Sequence, residues 1–263
     1  EERTFYDGLG RARQTQKEYD GSQWSLVSQR YDELGNQAAV SAPYTGTVSG
    51  VAYQAVNWNG LAATQLAYER LGRIRQVTQP DGATVRTYYQ NRQTAVIDAV
   101  NHQTISENDA WGRLVSVKQY DLTLAAGATP NWGATVYGQA SYSYDVADRL
   151  AQMTGADGAI TAIGYDLLGR KTSMSDPDMG VWNYAYDAAG NLKRQADGRG
   201  QQICFYYDGH NRLAGKHYRS DANCPGAKPT TYGANALSVE YLYDGGANGK
   251  GRRTQADVYT AGG

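Results

Sequence analysis

One six-residue phrase, Tyr-Asp-x-x-Gly-Arg, returns along the chain, and this recurrence restricts the fold more than any other feature. It begins at Tyr6 (YDGLGR), Tyr31 (YDELGN), Tyr68 (YERLGR), Asn108 (NDAWGR) and Tyr144 (YDVADR). It continues at Tyr165 (YDLLGR), Tyr186 (YDAAGN) and Tyr207 (YDGHNR), with a looser ninth copy at Tyr243 (YDGGANGKGR). The intervals are 25, 37, 40, 36, 21, 21, 21 and 36 residues, so the base period is 21. A period in this range marks a repeat array, in which each unit buries its face against its neighbours.

One unit shows what the array is made of. In Gly180 to Gln201, Trp182, Tyr184 and Tyr186 alternate with Asn183 and Ala185, the period of a half-buried strand. "AAGN" reads as a turn, "LKRQA" as the returning strand with Leu192 as its inward anchor, and "DGRG" as a second turn. Nine such units predict about eighteen antiparallel strands and no helix. Composition agrees: 22 Tyr against 2 Phe, with 31 Gly, suits short strands with one packed and one wet face. The fold class expected is all-β, a single array of tandem hairpins over 1–263. Insertions are expected around 38–66, 75–107, 121–141 and 216–238.

The phrase then has a mechanical reading. The tyrosines (Tyr6, Tyr31, Tyr68, Tyr144, Tyr165, Tyr186, Tyr207, Tyr243) end strands and are expected to stack on one another. The aspartates (Asp7, Asp32, Asp109, Asp145, Asp166, Asp187, Asp208, Asp244) would accept hydrogen bonds from turn N–H groups. Gly10, Gly35, Gly72, Gly112, Gly169 and Gly190 would supply a positive φ. Asn211 and Asp148 stand at the same place, and a short polar side chain also tolerates that conformation. Such exchanges follow the need of a backbone rather than that of a reaction. The Arg or Asn that follows restarts the ladder near the Asp charge, and Ile74, Leu114, Leu192 and Leu213 point back to the packed face.

The remaining chemistry is sparse. Net charge is −1 and the pI about 6.4, so no basic nucleic-acid footprint is present. No apolar run approaches the ~18 residues of a membrane span. His102, His210 and His217 do not fall at metal-ligand spacing. "GGANGKGR" has Asp244 and Gly251 where a phosphate loop needs Gly and Ser or Thr. The acidic turns at Pro80, Ala156 and Ser175 fall short of a calcium loop, and Asp fixing a turn is the plainer reading. No catalytic set, metal site or cofactor is expected. Glu1 starts almost inside a repeat and Gly263 ends shortly after another, as in a segment cut from a longer polypeptide.

The phrase, its spacing and its tandem copies resemble the YD repeats, also called Rhs repeats, of bacterial Rhs polymorphic toxins, Tc toxin C components and animal teneurins. The resemblance spans about residues 5 to 253. It implies a long antiparallel ribbon, curved or spiralled into a hollow β-shell, which in toxin members encloses a C-terminal effector. Eighteen strands at ~4.8 Å would make roughly 85 Å of ribbon, about half a turn around a small domain. Toxin shells end in a motif containing Asp-Pro-x-Gly-Leu. The nearest string here is "SDPDMG" at Ser175 to Gly180, which lies mid-array and lacks the Leu, so it is read as a hairpin turn.

Cys204 and Cys224 lie in the last long interval. The family's extracellular members favour a disulfide that pins an inserted loop, with two free thiols as the alternative. The resemblance therefore implies a non-catalytic shell segment of a secreted or surface bacterial protein such as a toxin. Its partner would be the remainder of a longer parent chain, with further repeats and an enclosed effector. The alternative is a carbohydrate- or protein-binding module, suggested by exposed aromatics and by Trp132 in the inserted "TPNWGATVYG".

Overall fold

The computed structural model describes residues 1–263 apart from 21–22, 49, 221–223, 231–237 and 260–263. The described residues contain strands and turns and no helix. Among the described residues the strand pairs are antiparallel, and 21 strands are found rather than eighteen. Two compact units divide the chain, residues Glu1–Gln139 and Ala140–Gly263.

The first unit opens with β1 (Glu2–Tyr6), β2 (Ala12–Asp20) and the long β3 (Gln23–Tyr31), joined edge to edge. β3 then serves two partners on its other edge: β4 (Gln37–Ser41) along Gln29–Tyr31 and β5 (Tyr44–Thr47) along Gln23–Leu26. The ladder continues from β4 to β6 (Ala63–Tyr68) and β7 (Ile74–Thr78). It proceeds through β8 (Thr84–Gln90), β9 (Gln93–Ile97), β10 (His102–Asn108) and β11 (Leu114–Thr123).

These last strands fill the stretch at 75–107. Gln90 pairs with Gln93, so β8 and β9 close on the two residues Asn91 and Arg92, with Asn91 at φ 53°. This is a hairpin that has lost the Asp and Gly of the phrase, which is why the interval from Tyr68 to Asn108 reads as doubled.

The second unit is a plain meander. β12 (Gly138–Tyr144), which begins at the boundary, is followed by β13 (Leu150–Thr154), β14 (Ile160–Tyr165), β15 (Lys171–Asp176) and β16 (Gly180–Tyr186). Then come β17 (Leu192–Ala196), β18 (Gln202–Tyr207), β19 (Leu213–Arg219), β20 (Val239–Tyr243) and β21 (Arg253–Val258). Each pairs with the next. Asp176 Oδ1 accepts N–H bonds from Asp178 and Met179, and Gly180 takes φ 73°, so "SDPDMG" is the turn between β15 and β16. The inserted stretch expected at 216–238 falls partly on 221–223 and 231–237, outside the described residues.

A single sheet layer buries little, and its core forms only where something lies across it. In the first unit Ala95, Ile105 and Tyr120 are buried beneath Trp132, Ala134 and Leu122. In the second, Cys204 and Tyr206 are buried with Cys224 packed against them. Cys204 and Cys224 form a disulfide with Cα atoms 5.6 Å apart, so the bridge and not the pair of free thiols is present.

Polar contacts seal the other covered patches. The buried Gln14 carboxamide donates to the Gln54 carbonyl at 3.1 Å and accepts the Gln54 N–H at 3.0 Å. The buried Gln103 does the same with Asn131, donating to its carbonyl at 2.9 Å and accepting its N–H at 2.7 Å. In both cases one side-chain amide pairs with the backbone of one residue, as a neighbouring strand would. Buried donors and acceptors left unpaired are costly, so each glutamine fixes where an irregular segment crosses the sheet.

Candidate functional site

The repeated phrase is the candidate site, and every copy begins with the same irregularity. The strand register shifts immediately before Tyr6, Tyr31, Tyr68, Asn108, Tyr144, Tyr165, Tyr186, Tyr207 and Tyr243. The cause is a four-residue turn closed by a residue in the left-handed region, the bulge geometry that re-aims a strand. At Asp166 the N–H donates to the Arg170 carbonyl at 3.0 Å, and the Gly169 N–H donates to the Asp166 carbonyl at 3.0 Å. Gly190 has φ 87°, while Asp148 and Asn211 hold the same place at 61° and 58°.

The aspartate side chain takes up the turn's remaining donors. Asp166 Oδ1 accepts the Leu168 and Arg170 N–H groups, each at 2.9 Å, and Oδ2 accepts Arg170 Nε at 2.7 Å. The same pattern recurs at Asp7, Asp109, Asp145 and Asp208. At Asp32 and Asp187 the side-chain amides of Asn36 and Asn191 take the place of the guanidinium, both at 3.0 Å. In the Tyr68 copy Glu69 replaces Asp and pairs with Arg73. Asp244 closes a longer turn: it accepts the Gly251 N–H at 2.7 Å and pairs with Arg212 at 2.9 Å.

Protonation states follow from these partners. The Arg11 guanidinium, with N–H donors of the turn, holds the Asp7 carboxyl down to about 2. At Asp208 the Arg212 N–H is the largest cause, followed by the Arg212 side chain, and the value is again about 2. Asp145, Asp166 and Asp187 are lowered for like reasons. These are carboxylates fixed in the ionised state, unsuited to act as general acids or as proton-poised bases near neutrality.

The arginine also reaches forward. Its guanidinium lies over the tyrosine of the following phrase: Arg11 over Tyr31 at 4.4 Å, Arg149 over Tyr165 and Arg170 over Tyr186 both at 4.7 Å, Arg212 over Tyr243 at 4.3 Å. The tyrosine hydroxyl donates back to the carbonyl just after the arginine, or after the asparagine that stands in its place. Tyr165 donates to Leu150 at 3.0 Å, Tyr186 to Lys171 at 2.9 Å, Tyr207 to Leu192 at 3.1 Å and Tyr243 to Leu213 at 2.9 Å. Tyr31 and Tyr68 do the same with Ala12 and Gln37. Phrases ending in Arg11, Arg149, Arg170 and Arg212 are thus tied to the next by a charge over a ring and by a hydroxyl on a carbonyl, and those ending in Asn36 and Asn191 by the hydroxyl on the carbonyl.

This corrects the expected stacking of tyrosine on tyrosine. Phe5 with Tyr53 is the aromatic ring pair found among the described residues. The tyrosines of successive phrases lie two strands apart, too far for their rings to touch, and the guanidinium fills the gap. Tyr89 extends the pattern to the hairpin that has lost the phrase: Arg73 lies over its ring at 3.9 Å, and its hydroxyl donates to the Ile74 carbonyl at 3.1 Å. The tyrosine alone was the signal there, without Asp or Gly to mark it. In the Asn108 copy Arg113 lies over Trp111 of its own turn, at 5.0 Å. Ile74, expected inward, is partly exposed at the sheet rim.

Other candidates are placed as follows. His102 is exposed at the start of β10 with Nδ1 3.8 Å from Asp98, His210 donates its backbone N–H to Asp208, and His217 is buried opposite Cys204. Among the described residues no three His, Cys, Asp or Glu side chains gather where they could hold a metal. Trp132 packs on the core of its own unit. A cavity of about 450 Å³ in the second unit is lined by Trp182, Gln195, Ile203 and Tyr218 among others.

A sheet of tandem hairpins whose polar residues serve its own turns defines a structural repeat protein. The model of the RHS Repeat family matches residues 144–178, the stretch holding two of the phrases. The chain is similar in fold to the crystal structure of TcdB2-TccC3-TEV, with a TM-score of 0.72 and 17% identity, over 97% of this chain and 14% of that one. It is also similar to the Photorhabdus luminescens Tc holotoxin pore, with a TM-score of 0.69 and 18% identity, over 93% of this chain and 13% of that one. No curated protein sequence matches. Residues 144–178 thus carry an RHS repeat, and the chain as a whole shares the fold of the matched structures. It spans about a seventh of the first matched chain.

Proposed function

We propose that this segment is a passive stretch of wall in a longer secreted bacterial protein, a toxin component of the Tc or Rhs kind, and that the wall encloses or scaffolds other parts of that chain. The observation that carries this reading is the use made of the phrase. Its Asp, Arg and Tyr side chains are engaged with turn N–H groups, with each other and with the next phrase's carbonyls. Little is left over for a substrate. Likeness of fold to TcdB2-TccC3 over nearly the whole chain supports the same reading, as does the small share of that chain which this segment covers.

The test is made in the parent chain. Deleting residues 144–185, two base periods, leaves the flanking hairpins able to pair, because repeat contacts are local. Protease access to the parent's remaining domains is then compared with the intact chain. The wall reading expects access to rise while the sheet stays folded by circular dichroism. Unchanged access in a folded deletion would remove the enclosing role.

One observation favours a second reading, a saccharide-binding face. The cavity beside Trp182 and Tyr218 combines aromatic rings with the Gln195 amide, and its size suits a small glycan. A glycan-array screen of the segment, repeated with Trp182→Ala, separates the two: binding lost in the variant supports the face, and no binding to any glycan removes it.

A further inference from the structure

The phrase turns of the first unit share a feature that their geometry does not require. Their third position carries Leu9, Leu34, Leu71 and Trp111, which are 78, 82, 78 and 78% exposed. The turns at the other strand ends, taken within each unit, provide an internal control. Gln79–Gly82, Gly155–Gly158 and Asp197–Gly200 have the same two backbone hydrogen bonds. Their third residues are Asp81, Asp157 and Arg199, and Val100 stands there in the turn at Asp98. The backbone of such a turn thus accepts a polar residue at this place, yet the phrase edge of the first unit presents a large apolar one four times. Exposed apolar residues in an ordered row mark a contact surface.

The row has a pitch. β2 pairs with β3 and β4 with β6, so the turns bearing Leu9, Leu34 and Leu71 follow each other at two strand spacings, about 10 Å. A partner that engages several of them must repeat at that pitch, as another edge of the same hairpins does. Charge narrows the arrangement. Glu33 precedes Leu34 and Arg70 precedes Leu71, both are exposed, and among the described residues neither is held in an ion pair. The Asp7 and Asp109 carboxylates nearby are neutralised by Arg11 and Arg113.

We propose that the phrase edge of the first unit docks a second copy of this chain about a two-fold axis, with Leu34 of each copy against Leu71 of the other. Such a contact is self-complementary, as two-fold interfaces are, and brings Glu33 of each copy to Arg70 of the other. Four turn side chains per copy bury less than the ~1,000 Å² of a stable interface, so the association is weak and appears at tens to hundreds of micromolar. It rests on the exposed row and stands apart from the wall reading.

Sedimentation velocity from about 5 to 500 μM tests it. The wild-type chain should show a concentration-dependent monomer–dimer equilibrium. Leu34→Ser/Leu71→Ser should weaken it at least about fivefold, whereas Asp81→Ser in the turn at the other strand end of the first unit should not. Glu33→Arg alone should weaken it, and Glu33→Arg/Arg70→Glu should restore it, which no loss of folding could imitate. A wild-type chain monomeric throughout, or dimers equally strong in the Leu34→Ser/Leu71→Ser chain, would overturn the proposal, as would a charge swap that fails to restore binding.

Discussion

Replacing Gln103 with Leu tests the sealing of inserted segments most sharply. The side chain is 1% exposed, and Leu nearly fills its volume, so the packing around it changes little. What is lost is the pair of bonds to Asn131, at 2.9 and 2.7 Å. Each such bond contributes about 0.5–1.5 kcal/mol net. Asn131 is otherwise exposed and can be rehydrated once released, so the cost falls near the lower end for the pair, about 1–2 kcal/mol. The loss is local, because Asn131 and Trp132 cross only part of one unit. A change of that size raises the population of the opened segment roughly five- to thirtyfold. Amide exchange at Asn131 should accelerate by that factor, and chymotrypsin should cut at Trp132 or Tyr137 correspondingly faster. Strands of the second unit should keep their protection. Exchange at Asn131 unchanged within about twofold would refute the idea that the Gln103 amide holds this segment down.

Three further outcomes follow from the geometry. Gly190→Val meets no atom within 4 Å but must adopt φ 87°, so it should destabilise by roughly 1–3 kcal/mol through backbone strain alone, read as a lowered thermal midpoint. Reducing the Cys204–Cys224 bridge, which closes a 20-residue separation, should cost roughly 3 kcal/mol in the chain-entropy model, read from denaturant melts with and without reductant. The third concerns acid. Asp7 and Asp208 fall from 3.8 in the unfolded chain to about 2 when folded. Their contribution is complete above the unfolded value and is lost as pH falls from about 4 toward 2. Thermal midpoints should therefore hold steady above about pH 5 and drop below it.

The turns were legible in the sequence because their residues are dictated locally. Asp, Gly, Asn and Arg at fixed offsets satisfy one another within six residues, and neither Asp148 nor Asn211 disguised the pattern. What was not legible depends on partners distant in sequence. Tyr89 forms the same contacts as the phrase tyrosines, yet without Asp and Gly nothing around it signals a turn of that class. Arg170 and Tyr186 stand sixteen residues apart in sequence, and only strand pairing shows that charge meets ring rather than ring meeting ring. Gln14 and Gln103 read as ordinary polar strand residues, because their partners Gln54 and Asn131 lie in irregular segments whose path no local pattern gives. The cysteine pair was legible only through its place in an interrupted interval and through the family's extracellular members.

The central claim is that each phrase is a structural joint linking one hairpin to the next. Asp166→Ala tests it most directly, because it removes the acceptor for two turn N–H groups and the partner of Arg170, which in turn covers Tyr186. The measurement is hydrogen exchange across the chain, wild type against variant. The account predicts loss of protection at Leu168 and Arg170 and weakened protection along 171–186, with residues of the first unit unchanged. Protection retained at Leu168, Arg170 and 171–186 alike would contradict it and show that the phrase serves something other than the sheet.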